Sequence, residues 1–293
     1  MKKILILGGC GYIGSALHAY LTPNYTVDTI DLEYFGNYSN PKNNRFDFDL
    51  VDKLVLDSYD VVILVAANSS VTLCKDLYDA FENNVNKFVR LVKKLNKQKF
   101  IYASSSCVYV TLDDRAKIET DELSPMDGLT FTKTAIDQFM PLTDVEYYGL
   151  RFGSVNGFSP NTRLDLMING MTFTALNKKE VNVFNGHAHR PILSINDLCR
   201  AVDAIVSRDK DHRGIYNVAS VNHTITEIGQ RVADFMQVPL IDKGNNYTYD
   251  FTIDSKKFCE TFDFEFTDTI ESIAKTLIDN AVNPMWQRRE AFK

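Results

Sequence analysis

An α/β fold with a doubly wound parallel sheet is predicted by three features of the 293-residue sequence. Short apolar runs rich in β-branched residues alternate with helical segments, giving at least five β units before residue 160. That alternation is the pattern of parallel strands joined by right-handed helical crossovers. The first run, Ile4 to Leu7, stops at Gly8-Gly9-Cys10-Gly11-Tyr12-Ile13-Gly14 and leads into a helix. The second, Val27 to Ile30, ends in Asp31.

Ile4 to Leu7 suits a strand buried on both faces. Gly8, Gly11 and Gly14 then mark a turn where the absence of a Cβ is useful. Positive φ becomes available, a pyrophosphate can approach the backbone, and the helix from Ser15 to Leu21 can pack closely on the strand. The free N–H groups at the start of that helix would face the phosphates. Asp31 falls seventeen residues after Gly14, where a carboxylate accepts hydrogen bonds from the adenosine ribose and repels a 2′-phosphate. No arginine or lysine lies beside it, and Glu33 adds negative charge. NAD is expected in preference to NADP.

Asp60 to Ala67 reads as a buried strand ending in Ala66-Ala67, small residues against which a flat cofactor could lie. A helix is predicted from about Leu77 to Asn96, with Phe81, Val85, Phe88, Val89 and Val92 near helical spacing. Lys99 to Ala103 forms the next strand and opens into Ser104-Ser105-Ser106, and Glu146 to Phe152 forms another. Gly, Pro and Asn cluster at 156–160, after which a mixed region runs to Pro191. Ile192 to Asp197 and Leu198 to Ser207 look like a strand and helix of the main sheet again, and a short strand is expected around Thr248 to Ile253. The expected division is a dinucleotide-binding Rossmann domain of residues 1–158 with 192–219, and a smaller mixed lobe of 159–191 with 220–293.

Composition narrows the function. A content of 45% hydrophobic residues suffices for a large core, and a net charge of −6 without any basic stripe gives no reason to expect nucleic acid. The apolar N-terminal run is too short for a signal peptide or membrane span, so no membrane association and a cytoplasmic location are expected. Cys10, Cys74, Cys107, Cys199 and Cys259 are scattered and read as free thiols. His187-Ala-His189 lacks a third ligand in reach by sequence, so no metal is expected.

Taken together, the glycine loop, the run ending in Ala66-Ala67, Ser104-Ser105-Ser106-Cys107-Val108-Tyr109, and Arg190-Pro191-Ile192-Leu193-Ser194-Ile195-Asn196-Asp197 resemble the extended short-chain dehydrogenase/reductase family. Within it, the chain resembles the nucleotide-sugar epimerase, dehydratase and dehydrogenase branch, from the first strand to about Ile273. The resemblance implies NAD as cofactor and a nucleotide-diphosphate sugar as substrate. It implies pyrophosphate contacts from Gly8, Gly11, Tyr12, Ile13 and Gly14, ribose and adenine contacts from Asp31, Leu32, Asp49 and Leu50, and a cofactor wall at Ala66 and Ala67. Ser105 falls where the family keeps the hydroxyl that bonds the reacting sugar hydroxyl, with Ser106 next to it. Lys133 corresponds to the lysine on the nicotinamide ribose. Arg190, whose planar charged fork suits a diphosphate, and Arg163 are implied for the substrate. A homodimer or homotetramer built through helices near 77–96 and 130–140 is also implied.

Two departures bear on the reaction. The family places a tyrosine, its general acid/base, four residues before the lysine. Here Leu129-Thr130-Phe131-Thr132-Lys133 puts leucine there, and leucine cannot move a proton. Three readings stay open: another group acts, namely Ser105, a water relayed through Thr130 or Thr132, or Asp127; hydride transfer survives with slow proton transfer; or the chain binds nucleotide sugar without turnover. The dehydratase branch also carries an aspartate and a glutamate where this chain has Ser106 and Cys107, so elimination of water by that route is not expected. Oxidation or reduction at a ring carbon, C4 in particular, or epimerisation through a transient ketone is expected instead. Blander roles stand beside these: a polar strand end for Ser104 to Ser106, packing for Tyr109 and Asn84, a turn for Asp127, and a helix cap or solvated face for Arg163 and Asn169.

Overall fold

A computed structural model describes residues 1–38, 42–109, 115–246 and 248–281. The last residues of the expected second lobe, 282–293, lie outside them. Seven strands form one sheet: β1 (Lys3–Leu7), β2 (Thr26–Asp31), β3 (Asn43–Arg45), β4 (Val61–Leu64), β5 (Lys99–Ser105), β6 (Tyr147–Phe152) and β10 (Gly214–Val218), in the order β10-β6-β5-β4-β1-β2-β3. Every neighbouring pair is parallel. From β1 the chain winds outward to β2 and β3, then returns to β4 and winds the other way. The strand order therefore reverses between β1 and β4, and ligands of such sheets bind at the carboxyl ends beside that reversal.

Helices cover both faces. On one side α1 (Tyr12–Leu21), α6 (Ile195–Ser207) and α8 (Lys256–Phe262) bury Leu17, Leu21, Leu198, Val202 and Phe258 against Ile4, Ile6 and Ile63. On the other, α3 (Lys87–Val92) and α4 (Gly128–Phe139) bury Phe88, Leu91 and Ile136 against Leu5, Leu7, Val62 and Phe100. β1 and β4 thus use both faces, and their apolar runs need no alternation. The expected helix from Leu77 to Asn96 is present but shorter and interrupted: α2 (Leu77–Phe81), a π-turn at Glu82–Asn86, then α3, ending at Val92.

A separate apolar cluster joins α5 (Met167–Lys178), α7 (Ile225–Met236), α9 (Ile270–Asp279) and β8 (Val181–Val183), with Ile168, Val181, Ile228, Val232 and Leu277 buried. β8 pairs with β12 (Leu240–Asp242). Two expectations are corrected here. The strand at 192–197 is β9 (His189–Ser194), and it leaves the main sheet for a three-stranded one with β7 (Ser154–Asn156) and β11 (Val221–Thr224), although α6 after it does return to the main core. The strand expected at 248–253 is an extended segment with a single bridge, Lys117 to Ile253. Phe251 and Ile253 are buried, but the backbone of this segment bonds mainly to the side chains of Arg190 and Asn222, which a strand pattern does not reveal.

Candidate active site

The glycine loop shows which glycines the fold itself demands. Gly8 has φ +94°, and a Cβ there would stand 2.6 Å from the Ala66 amide nitrogen. A Cβ on Gly14 would meet the Gly8 carbonyl oxygen at 2.0 Å, and one on Gly9 would strike Thr29. Gly11 differs. Its Cβ would have one neighbour, the Gly8 oxygen at 3.4 Å, so the protein's own packing tolerates a side chain where an approaching ligand would not. Gly11 also caps α1 without a side-chain hydrogen bond, which leaves the first-turn amides of Tyr12, Ile13 and Gly14 outside the helix's own ladder. The loop is braced from behind by the 157–169 segment. The Tyr12 hydroxyl donates to the Gly157 carbonyl at 2.8 Å, Ser15 and Ser159 hydroxyls meet at 2.8 Å, and Asn161 donates to the Cys10 carbonyl at 2.8 Å. Tyr12 therefore offers the cradle its amide, while its ring is spent on packing.

Asp31 ends β2 beside this loop. Its carboxylate accepts from the Cys10 amide at 3.0 Å and the Glu33 amide at 2.6 Å, and each oxygen keeps a further lone pair for a ribose hydroxyl. Cys10, desolvated and next to Asp31 and Glu33, has its thiol pushed up to about 12. Here the structure corrects the charge argument: β3 pairs with β2 so that Arg45 stands opposite Asp31, a neighbour that lies fourteen residues away along the chain. Leu32, just after β2, and Leu50, in the 3-10 helix at Phe48–Lys53, are exposed, and Asp49 is ion-paired with Lys87. The glycine cradle, the uncapped helix start and the acid at the end of β2 fit a dinucleotide.

Across the reversal, β5 delivers Ser105, whose Oγ accepts from the Cys107 amide at 3.2 Å, while Ser106 is buried. Lys133, on α4, is buried and donates from Nζ to the Ala103 carbonyl of β5 at 2.6 Å. Burial pushes its pKa down to about 8, against the pull of Asp137 and Cys74. Asn84, in the π-turn, holds the Asn68 amide and carbonyl at 2.8 and 3.0 Å and donates to the Thr132 hydroxyl at 3.2 Å. The loop after Ala66 and Ala67 is thereby fastened to the lysine's helix.

Leu129 sits one turn before Lys133, partly buried. Asp127 caps α4: Oδ1 accepts from the Thr130 amide at 2.8 Å, and the Thr130 hydroxyl reaches back to the Asp127 amide. Its other oxygen, Oδ2, accepts from the Tyr249 hydroxyl. Arg190 donates to the Tyr249 carbonyl and to the Thr248 hydroxyl, so this guanidinium, expected to grip a diphosphate, is engaged with the 248–249 segment. Arg163 is paired with Asp165 at 2.6 Å and donates to Ser69 at 3.4 Å. Asn169 is fully buried, bonded to the Gly157 amide and the Arg163 carbonyl. Tyr109 is buried too, its hydroxyl shared by Asn217 and Arg151, and packing is its role. Sequence reasoning missed Tyr249, Thr248, Ser159 and Asn161, whose partners lie more than 55 residues away and leave no local pattern. All five cysteines are free. Among the described residues no cluster of three or more His, Cys, Asp or Glu is placed to hold a metal, and no helix is long and apolar enough to cross a membrane.

These features define a dinucleotide-binding α/β protein with a lysine-bearing site at the carboxyl ends of β4 and β5. Residues 4–219 match the NAD dependent epimerase/dehydratase family, and the chain belongs to it. A probable dTDP-glucose 4,6-dehydratase of Sinorhizobium fredii is 30% identical over 255 residues, covering 75% of this chain and 72% of the relative. The low-salt glycan biosynthesis protein Agl12 of Haloferax volcanii is 29% identical over 241 residues, covering 74% and 76%. The crystal structure of UDP-glucuronic acid 4-epimerase from Bacillus cereus, in complex with UDP-glucuronic acid and NAD, superposes with a TM-score of 0.82 over 97% of this chain and 99% of that one, at 21% identity. The likeness shows the shared fold, and NAD is the cofactor of the family.

Proposed function

We propose that this chain is an NAD-dependent oxidoreductase of a nucleotide-diphosphate sugar, acting by oxidation or reduction at a ring carbon, C4, or by epimerisation through a transient keto sugar. The observation that carries this reading is Lys133, a buried ammonium with its pKa lowered to about 8 and held on the strand that ends in Ser105. A buried cation costs stability unless it is paired and hydrogen-bonded, and such perturbed groups gather at functional sites; this one lies at the end of β5, where a nicotinamide ribose and a sugar hydroxyl would meet. NAD, when bound, accepts or returns the hydride. Gly8, Gly11, Gly14 and the α1 amides would hold its pyrophosphate and Asp31 its ribose; Ser105 would orient the sugar hydroxyl. Ser106 and Cys107 carry no carboxylate, which argues against elimination of water. The cluster around α5, α7 and α9 with Arg163 and Arg190 supports a substrate lobe of 159–191 with 220–293. Exposed Leu77, Tyr78 and Phe131 on α2 and α4 support a homodimer or homotetramer through those helices.

The test is spectroscopic. Purified protein is expected to carry NAD or NADH, and the nicotinamide absorbance is expected to change with one member of a panel of UDP-, GDP-, CDP- and dTDP-glucose. Binding without redox change, product or isotope exchange for every member would overturn the reading. Leu129 favours one alternative, a non-catalytic binder of NAD and nucleotide sugar, which any turnover sensitive to Ser105→Ala excludes.

A further inference from the structure

We propose that Lys133 itself moves the proton in this chain, as a neutral amine when the sugar is oxidised and as an ammonium when the ketone is reduced; the assignment rests on the oxidoreductase reading above. One turn earlier stands Leu129, half-buried and without a titratable group, so that turn carries nothing at this position to take the proton.

Two adjacent contacts stitch α4 to the end of β5. Lys133 Nζ donates to the Ala103 carbonyl at 2.6 Å, and the Ser104 hydroxyl donates to Asp137 Oδ2 at 2.9 Å. Ser105 is the next residue of that strand. The helix is held on either side of Lys133: Asn84 donates to Thr132 Oγ1 at 3.2 Å, and Asp137 also accepts from Tyr102 and Arg151. The choice of partner matters. A carboxylate would lock Nζ as an ammonium, but Asp137, whose charge reaches it, is taken by Arg151, Tyr102 and Ser104. Ala103 is the single hydrogen-bond acceptor of Nζ among the described residues, and a carbonyl accepts an N–H from amine and ammonium alike. As an ammonium, Lys133 therefore leaves two of its three donors unmet in a residue only 7% exposed. As an amine it keeps one N–H for a ribose hydroxyl and its lone pair for a sugar hydroxyl. Desolvation brings it down to about 8, opposed by Asp137 and Cys74. The Cys74 and Cys107 thiols and the Tyr102 and Tyr109 hydroxyls, from the loop after β4, from β5 and from the turn that follows it, are all raised by burial and stay protonated. Among these groups Lys133 alone changes charge near neutral pH.

The step balances. In oxidation the lone pair of the Lys133 amine takes the proton of the sugar hydroxyl. The electron pair of the carbon's C–H bond leaves as hydride to the oxidised nicotinamide, and the C–O bond becomes a ketone. Lys133 ends as an ammonium, which returns its proton to the carbonyl oxygen when the ketone is reduced, or yields it to water when the keto sugar leaves.

With the NAD-loaded parent and the member of the UDP-, GDP-, CDP- and dTDP-glucose panel that it turns over, the single-turnover rate of nicotinamide reduction is expected to rise about tenfold per pH unit below about pH 8 and to level off above it. A lysine that only held the ribose would serve best as an ammonium, so a rate that is flat or falls over that range would overturn the assignment. Lys133→Arg keeps a cation and its donors but cannot be deprotonated. It is expected to lose about 10²–10⁴-fold in kcat and to lose the rise with pH, while the calorimetric Kd for NAD stays within about tenfold. Retention of a tenth or more of the parent kcat would overturn the assignment. Without any turnover, the Cε resonance of Lys133 in isotopically labelled protein, identified by its loss in Lys133→Arg, should titrate near pH 8; titration at the ordinary 10.5 would overturn it as well. The pH profile of the parent needs no variant and decides alone if Lys133→Arg does not fold. A parent that turns over no member of the panel would overturn the oxidoreductase reading, and this assignment with it.

Discussion

Gly11 and Gly14 lie three residues apart and are predicted to fail differently. Gly14→Ala forces a methyl to within 2.0 Å of a backbone oxygen, so the loop must deform and stability falls by about 1–3 kcal/mol, as for other overpacked sites. Gly11→Ala meets one atom at 3.4 Å and should leave denaturant stability within about 0.5 kcal/mol, while calorimetry records weaker NAD binding. Equal stability losses in the two would mean that Gly11 also serves the fold. Lys133 makes a pH prediction. Its folded pKa, about 8, lies below the ordinary 10.5, so between those values the unfolded chain holds more protons. Its burial penalty is full below about pH 8 and fades as pH rises toward 10.5. The parent should therefore gain stability relative to Lys133→Met across that window, by on the order of 1 kcal/mol per pH unit. A flat difference would mean the ammonium is better solvated than its surroundings suggest. Leu129→Tyr alone separates two states of the site: one that lacks its acid/base gains up to about 10²-fold in turnover, whereas one served by another hydroxyl loses sugar-nucleotide affinity to the added ring.

At the level of the elements, α4 depends on a polar anchor that no hydrophobic pattern announces. Asp137, one turn past Lys133, accepts from Tyr102 at 3.1 Å, Ser104 at 2.9 Å and Arg151 at 2.7 Å, and both members of the ion pair are buried. Removing one partner strands the other's charge, so Arg151→Leu should cost about 3–5 kcal/mol in urea unfolding. A cost under about 1 kcal/mol would show that water reaches the pair. The strands of the main sheet were legible because burial on both faces writes uninterrupted apolar runs, and the glycine loop because steric demand writes glycine. β9 was misplaced for a physical reason: an apolar strand records that it is buried and not which sheet it joins. The same limit hid Arg45 beside Asp31, since sheet pairing and not chain distance sets that neighbour. The places of Asp31, Ser105 and Lys133 on β2, β5 and α4 were readable from local spacing, whereas the Tyr249 bond to Asp127 spans 122 residues.

For the molecule as a whole, the cradle is built from two distant parts of the chain, so cofactor binding should be felt globally. NAD at a hundred times its Kd should stabilise the fold by about 2.7 kcal/mol, seen as a rise in melting temperature. NADP at the same concentration should give a smaller rise, because a 2′-phosphate at the end of β2 would meet two carboxylates, Asp31 and Glu33, against one guanidinium, Arg45; an equal rise would remove that charge argument. The strand order has a last consequence, for synthesis on the ribosome. β10 at 214–218 closes the sheet beside β6 at 147–152, and the intervening residues include β7, α5, β8, β9 and α6. Until they have emerged, the nascent chain holds β6 as a bare edge, with a row of backbone groups open to any other strand. Messages truncated between codons 153 and 213 should therefore yield insoluble product although they encode the entire glycine loop, Asp31 and Lys133.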